Sequence, residues 1–146
     1  MSTTTNSPSA DISLPSVDDL LSDFAADLKY ENLADDVIES IRRLFIDTVG
    51  VTLAGGLEEH ARQAGEVAAA LAGAEQATIL GSGVRTSVAE AAFANGVAAH
   101  SIDFDDTHRF VHPGCAVVPA ALAIAEWRSV SGKDLIASLA AGYEIS

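Results

Sequence analysis

The sequence Arg-Leu-Phe-Ile-Asp-Thr-Val-Gly-Val-Thr-Leu-Ala-Gly-Gly at residues 43–56 decides the fold class. Its apolar residues keep the three- and four-residue spacing of an α-helix, and that spacing extends back to about Ala34. Residues 44–53 are apolar on nearly every side, which predicts a helix in the protein interior that ends at Gly55-Gly56. Asp47 interrupts the run. We expect it to be a structural carboxylate paired with a backbone amide or an arginine, because an unpaired buried charge is costly.

Helical signals recur on both sides of this segment. Ser87 with Glu90, and Ser131 with Asp134, have the spacing of a capping box ahead of alanine-rich runs. Further helices are expected after Ser16, over residues 58–71, from Ser87 towards His100, from near Pro119 to Arg128, and after Ser131. One short extended stretch is expected at residues 77–80. The sequence therefore predicts an all-α fold with six or so helices and at most one short strand.

Composition excludes several classes of protein. The chain has 146 residues, 49% of them apolar and 5% aromatic, which suits one domain of close-packed helices. The formal net charge of −13 disfavours nucleic acid and acidic membranes as partners. The single cysteine, Cys115, excludes an internal disulfide and a thiolate metal cluster, and it fits a reducing cytoplasm. Because Cys115 enters an apolar run, a small buried residue is expected there rather than a nucleophile.

The two ends of the chain differ in character. Residues 1–15 are rich in Ser, Thr and Asn and lack the pattern of a secretory signal, so they are expected to form a flexible tail. The longest apolar run, residues 115–125, is too short to cross a bilayer. Residues 142–146 end the chain without a polar tail or a cap. We therefore expect residues 16–146 to form a helical domain that is truncated at its C-terminus.

The densest set of reactive side chains lies in residues 100–112, between two alanine-rich helices. It comprises His100, Asp103, Asp105, Asp106, Thr107, His108, Arg109 and His112. Imidazoles supply proton donors and acceptors near neutral pH, and neighbouring carboxylates adjust one another's basicity. Catalysis is therefore one interpretation of this loop.

Two other interpretations of the loop remain open. A metal site is possible because His108 and His112 are four residues apart, although the glutamate of the zinc-protease motif is absent and Pro113 disfavours a helix there. A solvated acidic loop with helix-capping roles is the other interpretation, since polar clusters in loops are common. Outside the loop, His60 lies among charged residues and is expected on the surface.

Three separated motifs in the right order resemble the MmgE/PrpD family. The first is the early apolar helix at residues 43–55. The second is residues 94–108 (Ala-Asn-Gly-Val-Ala-Ala-His-Ser-Ile-Asp-Phe-Asp-Asp-Thr-His), together with the following His112-Pro113-Gly114 and residues 118–123. The third is Gly142-Tyr143-Glu144. The resemblance covers about residues 17–146. The family includes 2-methylcitrate dehydratase, cis-aconitate decarboxylase and iminodisuccinate epimerase. The spacing between Thr107 and His112 is one residue shorter than in the decarboxylase branch.

The resemblance implies a fold and a site. It implies a large helical domain, a smaller α+β lid domain later in the chain, a homodimer, and action on small di- and tricarboxylates without a metal or an organic cofactor. By matching motif positions, it implies catalytic roles for Asp103, Thr107 and His112. His108 and Arg109 are then expected to bind substrate, with Arg109 on a carboxylate.

The principal functional hypothesis is therefore the N-terminal part of a cofactor-independent lyase, with dehydration of 2-methylcitrate as the expected reaction. The alternatives within the family are cis-aconitate decarboxylation and iminodisuccinate epimerisation. Outside it, the alternatives are a truncated, non-catalytic helical module that dimerises and a metal-binding protein that uses the loop.

Overall fold

The computed structural model describes residues 15–71 and 73–146, and within them the fold is helical. The helices are α1 Val17–Asp27, α2 Asp35–Gly55, α3 Glu59–Ala70, α4 Val88–His100, α5 Gly114–Arg128 and α6 Gly132–Ile145, and two strands, β1 Ala77–Thr78 and β2 Arg85–Thr86, pair antiparallel. The predicted all-α fold is confirmed, and β1 lies in the stretch predicted to be extended. At most one strand was expected, and β2 corrects this, because its pairing with β1 has no local signal in the sequence. The tail predicted for residues 1–15 lies outside the described residues except for Pro15.

Serines precede three of the helices, at the positions where the sequence predicted that helices start. Ser16 and Ser131 each form a full capping box, with Asp19 and Asp134 three residues further on. Ser87 accepts a hydrogen bond from the Glu90 backbone N–H at 3.3 Å. Each cap satisfies a backbone donor that has no partner inside its helix, which fixes where the helix starts.

Helix α5 begins earlier than the sequence predicted. Pro119 was expected near its start, but the helix begins at Gly114 and Pro119 is its sixth residue. Proline has no N–H, so the carbonyl of Cys115 has no intrahelical donor four residues on. Gly96 of α4 lies against that carbonyl, and a Cβ at position 96 would be 3.1 Å from its oxygen. The glycine thus lets α4 pack closely where the proline interrupts the hydrogen bonds of α5.

Helix α4 lies at the centre of the described fold and contacts α2, α3 and α5. The main core cluster joins Ile41, Val118, Leu139 and Ala140 from α2, α5 and α6. Small residues let helices approach closely, since a side chain at Gly55 of α2 would overlap the Ala98 carbonyl of α4. No helix in the described residues combines the length and the apolar character needed to cross a membrane.

One face of α2 corrects the prediction of a fully buried helix. Ile46 is 69% exposed, and Asp47, Gly50 and Leu53 are also exposed. Helices α4, α5 and α6 pack against the opposite face, which carries the buried Ile41 and Thr48. The expectation that Asp47 is a paired structural carboxylate is therefore wrong, because an exposed carboxylate is solvated by water and needs no partner.

A buried amide and a partly buried carboxylate attach the hairpin of β1 and β2 to the helices. Asn95 of α4 accepts a hydrogen bond from the Leu80 N–H at 2.8 Å and donates one to the Thr78 carbonyl at 2.9 Å. Glu126 of α5 accepts from the Thr78 N–H at 2.8 Å and pairs with Arg85. Burial raises the pKa of Glu126, but the hydrogen bonds from Thr78 and Arg85 outweigh it, so the pKa lies below its ordinary value.

Candidate active site

The loop between α4 and α5, residues 101–113, carries most of the reactive side chains. Two of its residues have left-handed backbone conformations, Asp103 with φ 52° and Arg109 with φ 57°. His108 and Val111 pair through two backbone hydrogen bonds, which turn the chain around Arg109 and Phe110. The last residue of α4, His100, and the first of α5, Gly114, frame the loop. The ends of two packed helices therefore fix the positions of its side chains.

The carboxylate of Asp105 lies at the centre of the cluster. Its side chain is fully buried, and its Oδ1 lies 3.0 Å from His100 Nδ1 and 3.3 Å from His112 Nδ1. The two imidazole rings meet edge to face with their centroids 4.7 Å apart. Burial raises the pKa of Asp105, but hydrogen bonding, chiefly by His100, lowers it more, so the pKa lies below its ordinary value. Asp105 is thus a buried carboxylate shared by two histidines.

Asp103 approaches His112 from the solvent side. Its side chain is 81% exposed, and its Oδ1 lies 3.9 Å from His112 Nε2, while the His112 side chain is 25% exposed. Two of the three residues expected to be catalytic, Asp103 and His112, therefore lie together. An imidazole nitrogen beside a carboxylate at the protein surface can accept or deliver a proton.

Thr107 and His108 lie on a neighbouring cavity of about 530 Å³, which Asp106, Pro113 and Tyr143 also line. Pro113 follows His112 in the chain, but neither His112 nor Asp103 lines this cavity, so the structure does not place Thr107 and His108 in one cavity with that pair. Arg109 is exposed at the turn beyond them, next to the almost fully exposed Phe110. Of the two residues expected to bind substrate, His108 faces the cavity and Arg109 extends from the loop.

The comparison with protein families decides the family. Residues 19–146 match the model of the MmgE/PrpD N-terminal domain. The chain belongs to the MmgE/PrpD family. It is similar to the cis-aconitate decarboxylases of Homo sapiens, at 38% identity over 124 residues, and of Mus musculus, at 34% over 124 residues. The matched segment is 81% of this chain but 26% and 25% of those proteins, so the chain spans about a quarter of their length.

The site of this MmgE/PrpD chain also includes contacts between helices that the sequence did not predict. Asp106 Oδ1 accepts a hydrogen bond from the Gly114 N–H at 2.9 Å, at the first turn of α5. Thr48 of α2 and Tyr143 of α6 also lie close to Gly114. A Cβ on this glycine would be 2.8 Å from Thr48 Oγ1 and 2.9 Å from Tyr143 Oη. Burial raises the pKa of Tyr143 above its ordinary value. Asp106 thus has the helix-capping role that the structural interpretation of the loop described.

The state of Cys115 agrees with its expected role. The residue is partly buried, and its thiol donates a hydrogen bond to the His112 carbonyl at 3.1 Å. Burial and the neighbouring Asp105 raise its pKa to about 11, so the thiol remains protonated near neutral pH. A protonated thiol is a poor nucleophile.

One group of side chains in the described residues has the donor atoms for a metal ion. His100, Asp103, Asp105 and His112 each offer a ligand atom, and these atoms lie within 4.8 Å of one another. Imidazole and carboxylate suit several divalent metals. The Nδ1 atoms of both histidines face the carboxylate of Asp105, an arrangement that hydrogen bonding also explains. The family resemblance implies that no metal is used. That expectation stays a prediction, and elemental analysis of the purified protein tests it.

Proposed function

We propose that this MmgE/PrpD chain contributes the Asp103–His112 pair to the active site of a cofactor-independent carboxylate lyase. The observation that supports the proposal is the 3.9 Å approach of Asp103 Oδ1 to His112 Nε2 at a surface that solvent and substrate can reach. Decarboxylation of cis-aconitate is the reaction we favour, because both similar proteins named above are cis-aconitate decarboxylases. This replaces the dehydration of 2-methylcitrate that was expected first.

The chemistry of decarboxylation needs a proton donor. When the bond between a carbon and its carboxylate group breaks, CO2 leaves and its bonding electron pair stays on the substrate. One proton must then be added to carbon. In our proposal His112 delivers that proton from Nε2, and Asp103 stabilises the positive charge of the ring before the transfer. No redox partner is needed, since the products are CO2 and the decarboxylated molecule, which carries a hydrogen where the carboxylate group was.

The remaining loop residues are proposed to hold the substrate. Thr107 offers a hydroxyl and His108 an imidazole at a cavity that the same loop lines. Arg109 offers the planar fork of donors that matches a carboxylate. The chain has only 8 Lys and Arg against 21 Asp and Glu. We therefore propose that other parts of a complete family member supply the further cations that a tricarboxylate needs.

The experiment measures turnover of cis-aconitate, 2-methylcitrate and iminodisuccinate. It uses this chain and a chimera in which residues 19–146 replace the matching segment of the human decarboxylase. Asp103→Asn and His112→Ala should each lower turnover by about 100-fold or more, as removal of a positioned acid–base group does. His60→Ala is the control, because His60 is exposed on α3 and should leave turnover within about twofold. A chimera that turns over cis-aconitate equally well with both variants would contradict the proposal, and turnover of another substrate alone would reassign the reaction.

A second copy of the chain is the proposed protein partner. The family resemblance implies a homodimer, and the exposed apolar residues Ile46, Leu53 and Leu57 of α2 and the turn after it are compatible with one. Light scattering on the purified chain should give the mass of two chains. A monomer at all concentrations would contradict it. A folded dimer without turnover, alone or in the chimera, would favour the non-catalytic helical module.

A further inference from the structure

We infer that Asp105 is a positioning residue that holds the proton of His112 on Nδ1 and so leaves Nε2 as the reacting atom. Its significance for catalysis rests on the proposed function, but the position of the proton does not. Three observations carry the inference: the complete burial of the carboxylate, the environment of His112 Nδ1, and the position of His112 Nε2.

The burial of Asp105 requires donors around it. A buried carboxylate is costly unless hydrogen bonds compensate for the water that it loses. His100 Nδ1 lies within 3.0 and 3.2 Å of its two oxygens, His112 Nδ1 lies 3.3 Å from Oδ1, and Cys115 is a further neighbour. An ionised carboxylate only accepts hydrogen bonds. Both imidazoles therefore stabilise the carboxylate only if their Nδ1 atoms carry protons.

The environment of His112 Nδ1 gives the same answer. The atom is shielded from solvent, and it makes no hydrogen bond of good geometry to any described residue. Asp105 Oδ1, at 3.3 Å, is the acceptor close enough to satisfy it after a small rotation of the ring. An unprotonated Nδ1 would instead direct its lone pair at a negatively charged oxygen. That repulsion disfavours the Nε2–H tautomer.

The other ring nitrogen of His112, Nε2, is then the atom available for the proposed reaction. With the proton on Nδ1, a neutral His112 has a free lone pair on Nε2, which lies 3.9 Å from the exposed Asp103 carboxylate. Nε2 can take up a proton and deliver it to a substrate, while Nδ1 stays bound to Asp105. The same division of roles operates where a buried aspartate orients a catalytic histidine. Asp105 acts through His112 and does not itself touch the substrate in this scheme.

Nitrogen-15 NMR of the histidine rings tests the inference directly in this chain. At about pH 8.5, two units above the pKa of an unperturbed imidazole, neutral rings show which nitrogen bears the proton. The wild-type spectrum should show Nδ1–H for His112 and His100. In Asp105→Asn, an NH2 group replaces one of the two carboxylate oxygens. This group donates hydrogen bonds and cannot accept one from a ring N–H. At least one of the two rings should then change to Nε2–H.

His60 is the internal control, because it is exposed on α3 and its signals should be the same in both proteins. A wild-type His112 with its proton on Nε2 would overturn the inference, and so would an Asp105→Asn protein in which both rings keep Nδ1–H. If Asp105→Asn does not fold, the wild-type spectrum still decides the first point. In a chimera that turns over substrate, Asp105→Asn should lower kcat by about 100-fold with little change in KM. Because the NMR measurement needs no turnover, failure of the proposed function and failure of this inference are distinguishable.

Discussion

The first turn of α5 leaves no space for a side chain at Gly114, and Gly114→Ala is therefore expected to destabilise the protein. A Cβ there would overlap Asp106 Oδ1 and would lie 2.8 Å from Thr48 Oγ1 and 2.9 Å from Tyr143 Oη. Asp106 cannot simply turn away, because the same oxygen accepts the Gly114 N–H at 2.9 Å. The added methyl group thus competes with a hydrogen bond that begins the helix.

The size of the effect follows from three contributions. Overpacking a filled site costs about 1–3 kcal/mol. Loss of a hydrogen bond to a charged acceptor costs about 1.5–3 kcal/mol. The higher helix propensity of alanine returns up to about 1 kcal/mol. The free energy of unfolding should therefore fall by about 1.5–5 kcal/mol, which lowers Tm by roughly 4–20 °C in a chain of this size.

Urea and thermal unfolding followed by circular dichroism measure the effect. Gly50→Ala is the matched control, because Gly50 lies within α2, is exposed, and has free space within 4 Å of the position that a Cβ would take. Gly50→Ala should raise the free energy of unfolding by about 0.5–1 kcal/mol. The two substitutions are chemically identical and should act in opposite directions. If Gly114→Ala were as stable as Gly50→Ala, the packing of Asp106, Thr48 and Tyr143 around α5 would be refuted.

Two further predictions concern carboxylates that accept hydrogen bonds from the residues around them. Glu126→Gln should destabilise the protein by about 1 kcal/mol by weakening the attachment of the β1–β2 hairpin, with exposed Glu59→Gln near zero as its control in urea unfolding. Because the pKa of Asp105 is held below 3.8 in the folded state, its stabilisation is fully present above that pH and is lost as the pH falls through the lowered pKa. Between about pH 5 and 2, the free energy of unfolding should fall less steeply with decreasing pH in Asp105→Asn than in the wild-type protein. Equal slopes in the two proteins would contradict the assignment.

The sequence predicted helix starts well and the second strand not at all. Ser16 and Ser131 mark helix starts because the cap, the acidic partner and the first turn lie within four residues. The strand at Arg85–Thr86 has no such local signal, since pairing with β1 and the Arg85–Glu126 ion pair define it. Pro119 was misleading for a related reason. The close contact with Gly96, which accommodates a proline inside α5, joins residues far apart in the chain.

The candidate site was predicted in part, for the same physical reason. Asp103 and His112 lie in one loop, so their proximity follows from sequence spacing and the family motif. Thr48 and Tyr143 belong to α2 and α6, and only the packing of these helices against α5 brings them to Gly114. Thr48 fits the apolar spacing of its helix because its hydroxyl bonds the Leu44 carbonyl at 2.9 Å. Nothing in the sequence distinguished it from a core residue.

The three aspartates of the loop show why catalytic and structural interpretations of an acidic cluster need not compete. Asp106 caps α5, and a negative charge there also complements the positive end of the helix dipole. Asp105 is buried against two imidazoles, and Asp103 is exposed beside one of them. If all three were solvated capping residues, burial of Asp105 would have no compensation. If all three were catalytic, the Gly114 N–H at the start of α5 would lack an acceptor. Neighbouring carboxylates on a loop between two fixed helix ends therefore have different environments, and the environment of each determines what it can do.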